Sequence, residues 1–459
     1  MAKAITTVNP TTGEQLAEYP LMSDAEVNQA IERCHNAFLD WRLQPIEERA
    51  EVLTAIGAKL RERTDDLAEM MMLEMGKPIM AAKGEVQLCA ALADYAAKFG
   101  PEVLKDEDRQ TGKTSRGIVT YSPMGVIYGI QPWNFPGYQV VRYSVDNLIA
   151  GNGVMLKHAS NVTGCGVLIG EIYEQAGLPK DLFTVLKISH GQSDDIIEHP
   201  LVRGVTLTGS DVAGKKVAAK AGEAMKKTVL ELGSNDAYLV LEDADLEKAV
   251  KHCVRGRVFN TGQTCVSAKR FIIVDKLYDQ FRDAYVAMMQ KVAYGDPTKE
   301  ETQMGPMATH KGREDLQRQV DQSVEKGAKI LCGGFIPDGD GAFYPATVLE
   351  NVEPGQPAYD DELFGPVASL VRAKDDDDAM RIANDSRYGL GGGIFSEDID
   401  KATRMASQLF DTGMVAINGI VGVHPNMPFG GVKDSGHGRE HGGFGMKEFV
   451  NIKGITINN

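Results

Sequence analysis

The spacing of apolar residues is helical near the start of the chain. Between Ser23 and Arg42, apolar side chains recur every three or four positions, and Ser23 followed by Glu26 matches a helix capping box. The pattern predicts an amphipathic helix with core positions Val27, Ala30, Ile31, Cys34, Phe38 and Trp41. Cys89, in the segment QLCAALADYAAKF, is predicted to be a core residue for the same reason.

From Gly125 onward, short strand-like runs alternate with helical segments. The strand-like runs are VIYGI, GVMLK, FTVLKI, GVTLTG, TVLEL and AYLVL. This alternation predicts βαβ units in a parallel, nucleotide-binding sheet. A second alternating series, which includes KRFIIVD, GAKILCGG, AFYPATVL and GGGIFS, follows Cys265. We therefore predict two α/β domains with a boundary close to Leu230–Gly233.

Two β-like segments, RGIVTYSP and the C-terminal EFVNIKGITINN, fit neither series. Alone they would leave unpaired strand edges, which proteins normally pair or cover. We predict that they form a small sheet joining subunits. The run Asp375–Asp378 is typical of a solvated helix start rather than a metal site.

Length and charge restrict the class of protein. A chain of 459 residues exceeds the size of a single core, and 64 acidic against 49 basic residues offer no basic face for nucleic acid. No apolar run approaches a membrane span, and the first residues lack the apolar region of a secretory signal. The six cysteines lack metal-ligand and disulfide spacing. The sequence indicates a soluble, cytoplasmic protein without metal, nucleic-acid or membrane partners.

Cys265 differs from the other cysteines because it stands in FNTGQTCVSAKR, among residues that build an exposed turn. A nucleophilic thiol needs access and stabilisation of its thiolate, whereas a structural cysteine needs apolar neighbours. The segment alone is compatible with a reactive cysteine and with a surface turn that contains one.

Two further segments carry polar groups at defined places. Glu231 ends the predicted strand TVLEL, and the carboxyl ends of parallel strands are where α/β sheets bind and transform ligands. In IQPWNFPGYQ two prolines fix the backbone around Asn134. Taken individually, Glu231 could be a structural carboxylate with its hydrogen bonds made within the protein, and Asn134 could be the capping residue of a rigid turn. Together with Cys265 they supply a base, an oxyanion donor and a nucleophile for chemistry at a carbonyl.

The sequence resembles the aldehyde dehydrogenase superfamily over essentially its full length. The matching motifs, in order, are PWNFP, LKHAS, TGSDVAG, LELGS, FNTGQTC, DELFGPV and PFGGVKDSGHGREHG. The resemblance implies a Rossmann-type cofactor domain (1–103 and 123–231), an α/β catalytic domain (232–441) and oligomerisation segments (104–122 and 442–459). It also implies a homodimer or homotetramer.

The resemblance assigns the catalytic roles. Cys265 attacks the aldehyde carbon to form a thiohemiacetal, and the Asn134 amide with the Cys265 backbone N–H holds the oxyanion. Hydride transfer leaves a thioester, which water activated by Glu231 hydrolyses. Glu231 favours a carboxylic acid as product over an acyl-coenzyme A.

The resemblance also implies NAD or NADP as cofactor. The residues matched to cofactor binding are Trp133, Lys157, Ser160, Gly209, Ser210, Gly214, Glu362 and Phe364. Ser160 stands where many NAD-specific relatives carry a glutamate that would repel a 2′-phosphate. NADP is therefore compatible with this position, as is simple tolerance of either cofactor.

The predicted substrate-binding residues are Phe135, Tyr138, Arg142, Val423, His424 and Phe429. Dehydrogenases of succinate semialdehyde are similar to this chain in carrying arginine at position 142, where a guanidinium could bind a distant carboxylate. Arg142 could instead pair with Asp146 one helical turn later.

The alternatives to a dehydrogenase of succinate semialdehyde are a broad-specificity aldehyde dehydrogenase and a non-catalytic relative of the fold. Ser267 leaves no second cysteine beside Cys265 for a local disulfide.

Overall fold

The computed structural model describes residues 4–112 and 115–458 of the chain. Residues 1–3 of the predicted cofactor domain, and 113–114 and 459 of the predicted oligomerisation segments, lie outside the described residues. The helices are α1 Asp24–Trp41, α2 Ile46–Glu62, α3 Thr64–Met75, α4 Ile79–Val103, α5 Tyr138–Ala150, α6 Thr163–Gln175, α7 Ser193–Glu198, α8 Asp211–Glu223, α9 Leu246–Val258, α10 Asp275–Met289, α11 His310–Glu325, α12 Pro357–Asp360, α13 Asp376–Asn384 and α14 Ile399–Gln408.

The strands are β1 Ala4–Val8, β2 Gln15–Pro20, β3 Glu107–Gln110, β4 Ser115–Pro123, β5 Val126–Gln131, β6 Gly153–His158, β7 Phe183–Val185, β8 Val202–Thr208, β9 Lys227–Glu231, β10 Ala237–Val240, β11 Arg270–Val274, β12 Lys329–Cys332, β13 Thr347–Glu350, β14 Val367–Ala373, β15 Tyr388–Gly389, β16 Gly392–Phe395, β17 Ala416–Ile417, β18 Val432–Lys433, β19 Gly436–His437 and β20 Val450–Asn458.

The first sheet has the strand order β19-β9-β8-β5-β6-β7 and is parallel except for β19. Helix α1 packs beside β5 and β6, and its Ser23–Glu26 capping box and all six predicted core positions are confirmed. The predicted strand FTVLKI ends early, at Val185. Strand β19 lies within the predicted catalytic segment but pairs with β9, so the chain returns to the first sheet near its end.

The second sheet has the order β12-β13-β14-β11-β10-β16-β17, with β12 antiparallel to β13 and the other pairs parallel. The chain passes from the first sheet to the second between Glu231 and Ala237. In the predicted strand AFYPATVL only the part from Thr347 pairs as a strand. Asp375 caps α13, which confirms the predicted helix start.

The two unassigned β segments pair with each other. Strand β20 runs antiparallel to β4 over nine residue pairs from Val450↔Pro123 to Asn458↔Ser115, and β3 completes this three-stranded sheet. The predicted α/β fold class is therefore confirmed. Among the described helices none is long and apolar enough to cross a membrane, and the described part of the chain contains no cluster of three or more potential metal ligands.

Candidate active site

Cys265 follows a tight turn at the end of α9. Asn260 and Thr261 both adopt left-handed backbone angles, with φ of 53° and 54°, and Gly262 has φ of 72°. A Cβ atom on Gly262 would lie 2.3 Å from the carbonyl oxygen of Gly365. Only glycine fits there, because the turn packs directly against the backbone that follows Phe364.

Side-chain hydrogen bonds hold this turn against the Asn134 loop. The Asn260 amide donates to the carbonyl oxygens of Asn134 (2.9 Å) and Gln263 (3.2 Å). The Asn134 Nδ2 also donates to the Gln263 carbonyl, at 3.2 Å. Lys269 Nζ donates to the Thr264 carbonyl at 3.1 Å. The nucleophile candidate and the oxyanion-donor candidate are thus parts of one hydrogen-bonded unit.

The Cys265 thiol lies in a largely buried environment. Burial raises its pKa to about 12, and the positive charges of Arg142 and Lys269 offset part of that shift. The thiol is therefore protonated at neutral pH in this arrangement, and its attack on a carbonyl requires a base.

Glu231 is the base that the site offers. It ends β9, where it pairs in register with Thr208 on β8 and Gly436 on β19. The residue is 2% exposed, and neither carboxylate oxygen has a hydrogen-bond partner among the described residues. Burial and the neighbouring Glu440 raise the pKa of Glu231, while Arg142 opposes the shift. A buried, unpartnered carboxylate with a raised pKa is suited to accept a proton.

The backbone at Gly430 makes room for this carboxylate. A Cβ atom at position 430 would lie 2.8 Å from Glu231 Oε1 and 2.8 Å from the carbonyl oxygen of Gly438. Glu231 also contributes to the electrostatic environment of the Cys265 thiol, which places the two groups in one site.

Asn134 lies just after β5 and is 4% exposed. One of its two amide N–H donors is used on the Gln263 carbonyl. An amide nitrogen carries two donors, so the second is free to bind an oxygen of a ligand next to Cys265.

A buried ion pair that sequence reasoning missed supports the Asn134 loop. Lys77, 2% exposed, pairs with Glu85, 5% exposed, on α4. Lys77 Nζ also donates to the Asn134 carbonyl at 3.0 Å and lies 3.8 Å from the centre of the Phe135 ring. Glu85 Oε1 accepts from the backbone N–H groups of Gly137 (2.9 Å) and Tyr138 (3.0 Å). The pair holds the PWNFP segment at its centre and just after its last residue.

A cavity of about 690 Å³ opens onto Cys265. Four of the six predicted substrate residues line it: Phe135, Tyr138, Val423 and Phe429. His424 is exposed and outside the lining, as is Arg142, which is buried. Glu85, His252 and Arg255 are the charged or titratable residues of the described lining, apart from Cys265 and Tyr138.

Arg142 lies behind the aromatic wall of this cavity. Its Nε is 2.6 Å from Glu440 Oε2, and its other nitrogens donate to Thr208 Oγ1 (2.7 Å) and Tyr138 Oη (3.3 Å). The guanidinium lies 5.0–5.1 Å from the ring centres of Tyr138 and Phe429. Its ion-pair partner among the described residues is Glu440, not Asp146 as the i,i+4 spacing suggested. The helical spacing could not show Glu440, which is almost three hundred positions away in the chain.

The predicted cofactor residues lie at the carboxyl ends of neighbouring parallel strands, where nucleotides bind in α/β sheets. Lys157 ends β6, is 5% exposed and makes no ion pair among the described residues, and burial lowers its pKa. Ser160 is exposed in the next turn. Ser210 follows β8 and caps α8 by accepting from the Ala213 N–H. A Cβ on Gly214 would lie 2.4 Å from Leu232 Cδ1, so this glycine lets α8 approach β9.

The remaining cofactor candidates lie nearer to Cys265. Glu362 pairs with Lys269 at 3.1 Å, and a Cβ on Gly233 would lie 2.6 Å from Glu362 Oε2. Trp133 and Phe364 meet edge to face with ring centres 5.7 Å apart. The buried Lys157, which has no ion-pair partner among the described residues, is the observation that fits a ligand with hydroxyl and phosphate groups.

Comparison with known proteins agrees with this geometry. The profile of the aldehyde dehydrogenase family matches residues 1–455. The chain is 43% identical to the succinate-semialdehyde dehydrogenase [NADP(+)] of Deinococcus radiodurans, covering 97% of this chain and 93% of that protein. It is 44% identical to the succinate semialdehyde dehydrogenase [NAD(P)+] Sad of Escherichia coli, covering 98% and 96%.

A solved structure is similar in fold and sequence. The crystal structure of succinic semialdehyde dehydrogenase from Streptococcus pyogenes in complex with NADP+ superimposes with a TM-score of 0.97, at 37% identity, covering 99% of this chain and 100% of that one. On its sequence, its fold and the arrangement of Cys265, Glu231 and Asn134, this chain belongs to the aldehyde dehydrogenase family.

Proposed function

We propose that this protein oxidises succinate semialdehyde to succinate with NAD(P)+. The observation that carries the chemistry is that the Cys265 thiol opens onto a cavity, with the unpartnered Glu231 carboxylate in its electrostatic environment and the Asn134 amide bonded to the Gln263 carbonyl two residues away. The names of the relatives from Deinococcus radiodurans and Escherichia coli support the substrate.

The proposed reaction assigns the following roles to residues of the chain. Glu231 accepts the thiol proton as Cys265 Sγ forms a bond to the aldehyde carbon, and the free Asn134 N–H with the Cys265 backbone N–H stabilises the resulting oxyanion. After loss of a hydride the carbon is a thioester. Glu231 releases that first proton to solvent, then takes a proton from a water whose oxygen attacks the thioester, and passes it to Cys265 Sγ, which leaves as a thiol. The net change adds one water oxygen to the aldehyde and releases a carboxylate.

The cofactor would be held by Lys157, Ser160, the N-terminus of α8 and Glu362. When bound, its nicotinamide supplies the hydride acceptor. Ser160 carries no charge that would repel a 2′-phosphate, and Lys157 is a nearby cation without an ion-pair partner among the described residues. Both features favour acceptance of NADP as well as NAD.

A broad-specificity aldehyde dehydrogenase is the second candidate, and the position of Arg142 favours it. The residue that sequence reasoning chose to bind the substrate carboxylate is committed to Glu440 behind the cavity wall. Most of the cavity lining is apolar, so an uncharged aldehyde also fits.

The protein is proposed to act as a cytoplasmic homodimer or homotetramer. Strand β20 supports assembly because it exposes Ile452 and Ile455, at 61% and 41%, on the outer edge of the small sheet. The six cysteines are free, which suits a reducing compartment.

The test compares succinate semialdehyde with butanal, an uncharged aldehyde of the same carbon number, using NAD+ and NADP+ and following nicotinamide reduction at 340 nm. Wild type is expected to form succinate stoichiometrically with reduced cofactor, and Cys265→Ala to form neither. Equal kcat/KM for the two aldehydes would favour the broad-specificity candidate, and inactivity with every aldehyde would refute both.

A further inference from the structure

One face of α9 places positive charge at the entrance of the Cys265 cavity. Lys248, Lys251, His252 and Arg255 follow the i, i+3, i+4, i+7 spacing of a single helix face. We propose that Lys251, Arg255 and Lys291 form a capture surface that attracts anionic aldehydes into the cavity. This inference rests on the proposed function, because it assumes that the substrate carries a carboxylate.

The capture surface is continuous with the cavity. Arg255 and Phe259 line both the 690 Å³ cavity and an adjoining groove of about 410 Å³. Lys251 and Lys291 line this groove but not the cavity, and Arg255 lines both. The groove therefore presents three cations next to the cavity that contains Cys265.

These cations are not neutralised by the protein. Lys251, Arg255 and Lys291 are exposed, and none makes an ion pair or a side-chain hydrogen bond with another of the described residues. Burial and the charges of Lys248, Arg255 and Lys251 lower the pKa of His252, which shows that the local field is positive. A salt bridge would have cancelled such a field.

The rest of the molecule repels the proposed substrate. The chain carries a formal net charge of −15, so an anion approaching most of the surface meets a negative potential. Glu85 in the cavity lining is paired with Lys77, and Arg142 behind the aromatic wall is paired with Glu440. The unpaired Lys and Arg side chains among the described lining residues of the cavity and the groove are therefore those of the capture surface, where they act on the encounter rate rather than on the reacting carbon.

The decisive measurement is the ionic-strength dependence of kcat/KM for succinate semialdehyde and for butanal. Raising the ionic strength from about 0.01 M to about 0.15 M shortens the screening length from about 30 Å to about 8 Å. We expect the ratio of kcat/KM values, semialdehyde over butanal, to fall with added salt in wild type. In the double variant Lys251→Glu/Arg255→Glu we expect this ratio at low salt to be about tenfold lower than in wild type. The ratio of the double variant should also no longer depend on salt.

Arg404→Glu is the matched control, because it reverses one positive charge outside the capture surface. Arg404 is exposed on α14, makes no ion pair among the described residues and lies outside both the cavity and the groove. It should leave the ratio and its salt dependence as in wild type. Arg255→Lys, which keeps the charge, should retain most of the preference for the anion.

Two results would overturn the capture surface. One is a wild-type ratio that does not respond to salt, and the other is an equal loss in Arg404→Glu and Arg255→Glu. Either can occur while the enzyme still converts succinate semialdehyde, so the proposed function would stand. Lack of turnover with both aldehydes would instead refute the proposed function itself.

Discussion

Glu440 and Arg142 form a buried ion pair, with Oε2 and Nε 2.6 Å apart and the two side chains 5% and 0% exposed. The pair joins α5 of the first sheet region to the chain segment that returns after β19. Arg142 also touches Tyr138, and both Arg142 and Glu440 influence the pKa of Glu231. The ion pair therefore connects the wall of the cavity with Glu231, the proposed base.

Removing one partner of this pair should destabilise the protein. Arg142→Met leaves Glu440 buried without a counter-charge, which typically costs about 3–5 kcal/mol, whereas Arg142→Met/Glu440→Gln removes both charges and should lose less. Urea unfolding of the two single variants and the double variant measures this. A single variant with wild-type stability but without preference for the semialdehyde would show that Arg142 binds substrate directly.

Glu231→Gln should stabilise the protein while it abolishes turnover. The raised pKa of Glu231 means that the folded state holds its proton more tightly than the unfolded state, so the unfolding free energy falls as pH rises through that window. At pH 7 the variant should be more stable than wild type, and below the ordinary glutamate pKa of about 4.3 the difference should vanish. Urea titrations at both pH values test this. A stability difference that does not depend on pH would contradict the assignment.

The same shift predicts the pH dependence of activity. Glu231 must lose its proton before it can act as a base, so kcat/KM should rise with pH through a pKa above the ordinary range of a carboxyl group. Asp146 is another buried carboxyl group that could cause such a rise, because burial raises its pKa to about 8. The pH profile of kcat/KM for Asp146→Asn tests this alternative. The rise should persist in Asp146→Asn.

Lys77 is predicted to act through Asn134. Lys77→Met removes the donor to the Asn134 carbonyl, and a displacement of the loop by about 1 Å can lower kcat up to about 100-fold. In an Asn134→Ala background the same change should have little further effect on kcat, because the amide that Lys77 positions is gone. Lys83→Met, at an outward position of α4, is the control. Additive losses in the double variant would show that Lys77 merely stabilises the fold.

Ser160→Glu should shift the cofactor preference towards NAD. A carboxylate at this exposed position would face the 2′-phosphate of NADP, and like charges placed together should lower kcat/KM for NADP by about tenfold or more. Ser160→Gln has a similar size without the charge and should affect the two cofactors more equally. Parallel kinetics with NAD+ and NADP+ measure the ratio, and identical effects of the two substitutions would refute a charge mechanism.

Local patterns in the sequence were sufficient for much of the fold. The capping box at Ser23, the core face of α1, the aspartate cap of α13 and most strands depend on neighbouring residues, and all were predicted correctly. Strand lengths were less predictable, since β7 ends at Val185 and β13 begins at Thr347, inside the predicted strands FTVLKI and AFYPATVL. The pairing of β4 with β20 was predicted only because each segment would otherwise leave an unpaired strand edge.

The sequence by itself determined the family and predicted the chemistry of the site, because Cys265, Glu231 and Asn134 each stand in a short motif whose residue types suit that chemistry. The tertiary structure alone decided which charges are free and which are neutralised. Arg142 and Lys77 are both buried cations beside the cavity, and their partners Glu440 and Glu85 come from other segments of the chain. Whether a charge is available to a ligand depends on distances between residues that are remote in sequence, and no periodicity or spacing contains that information.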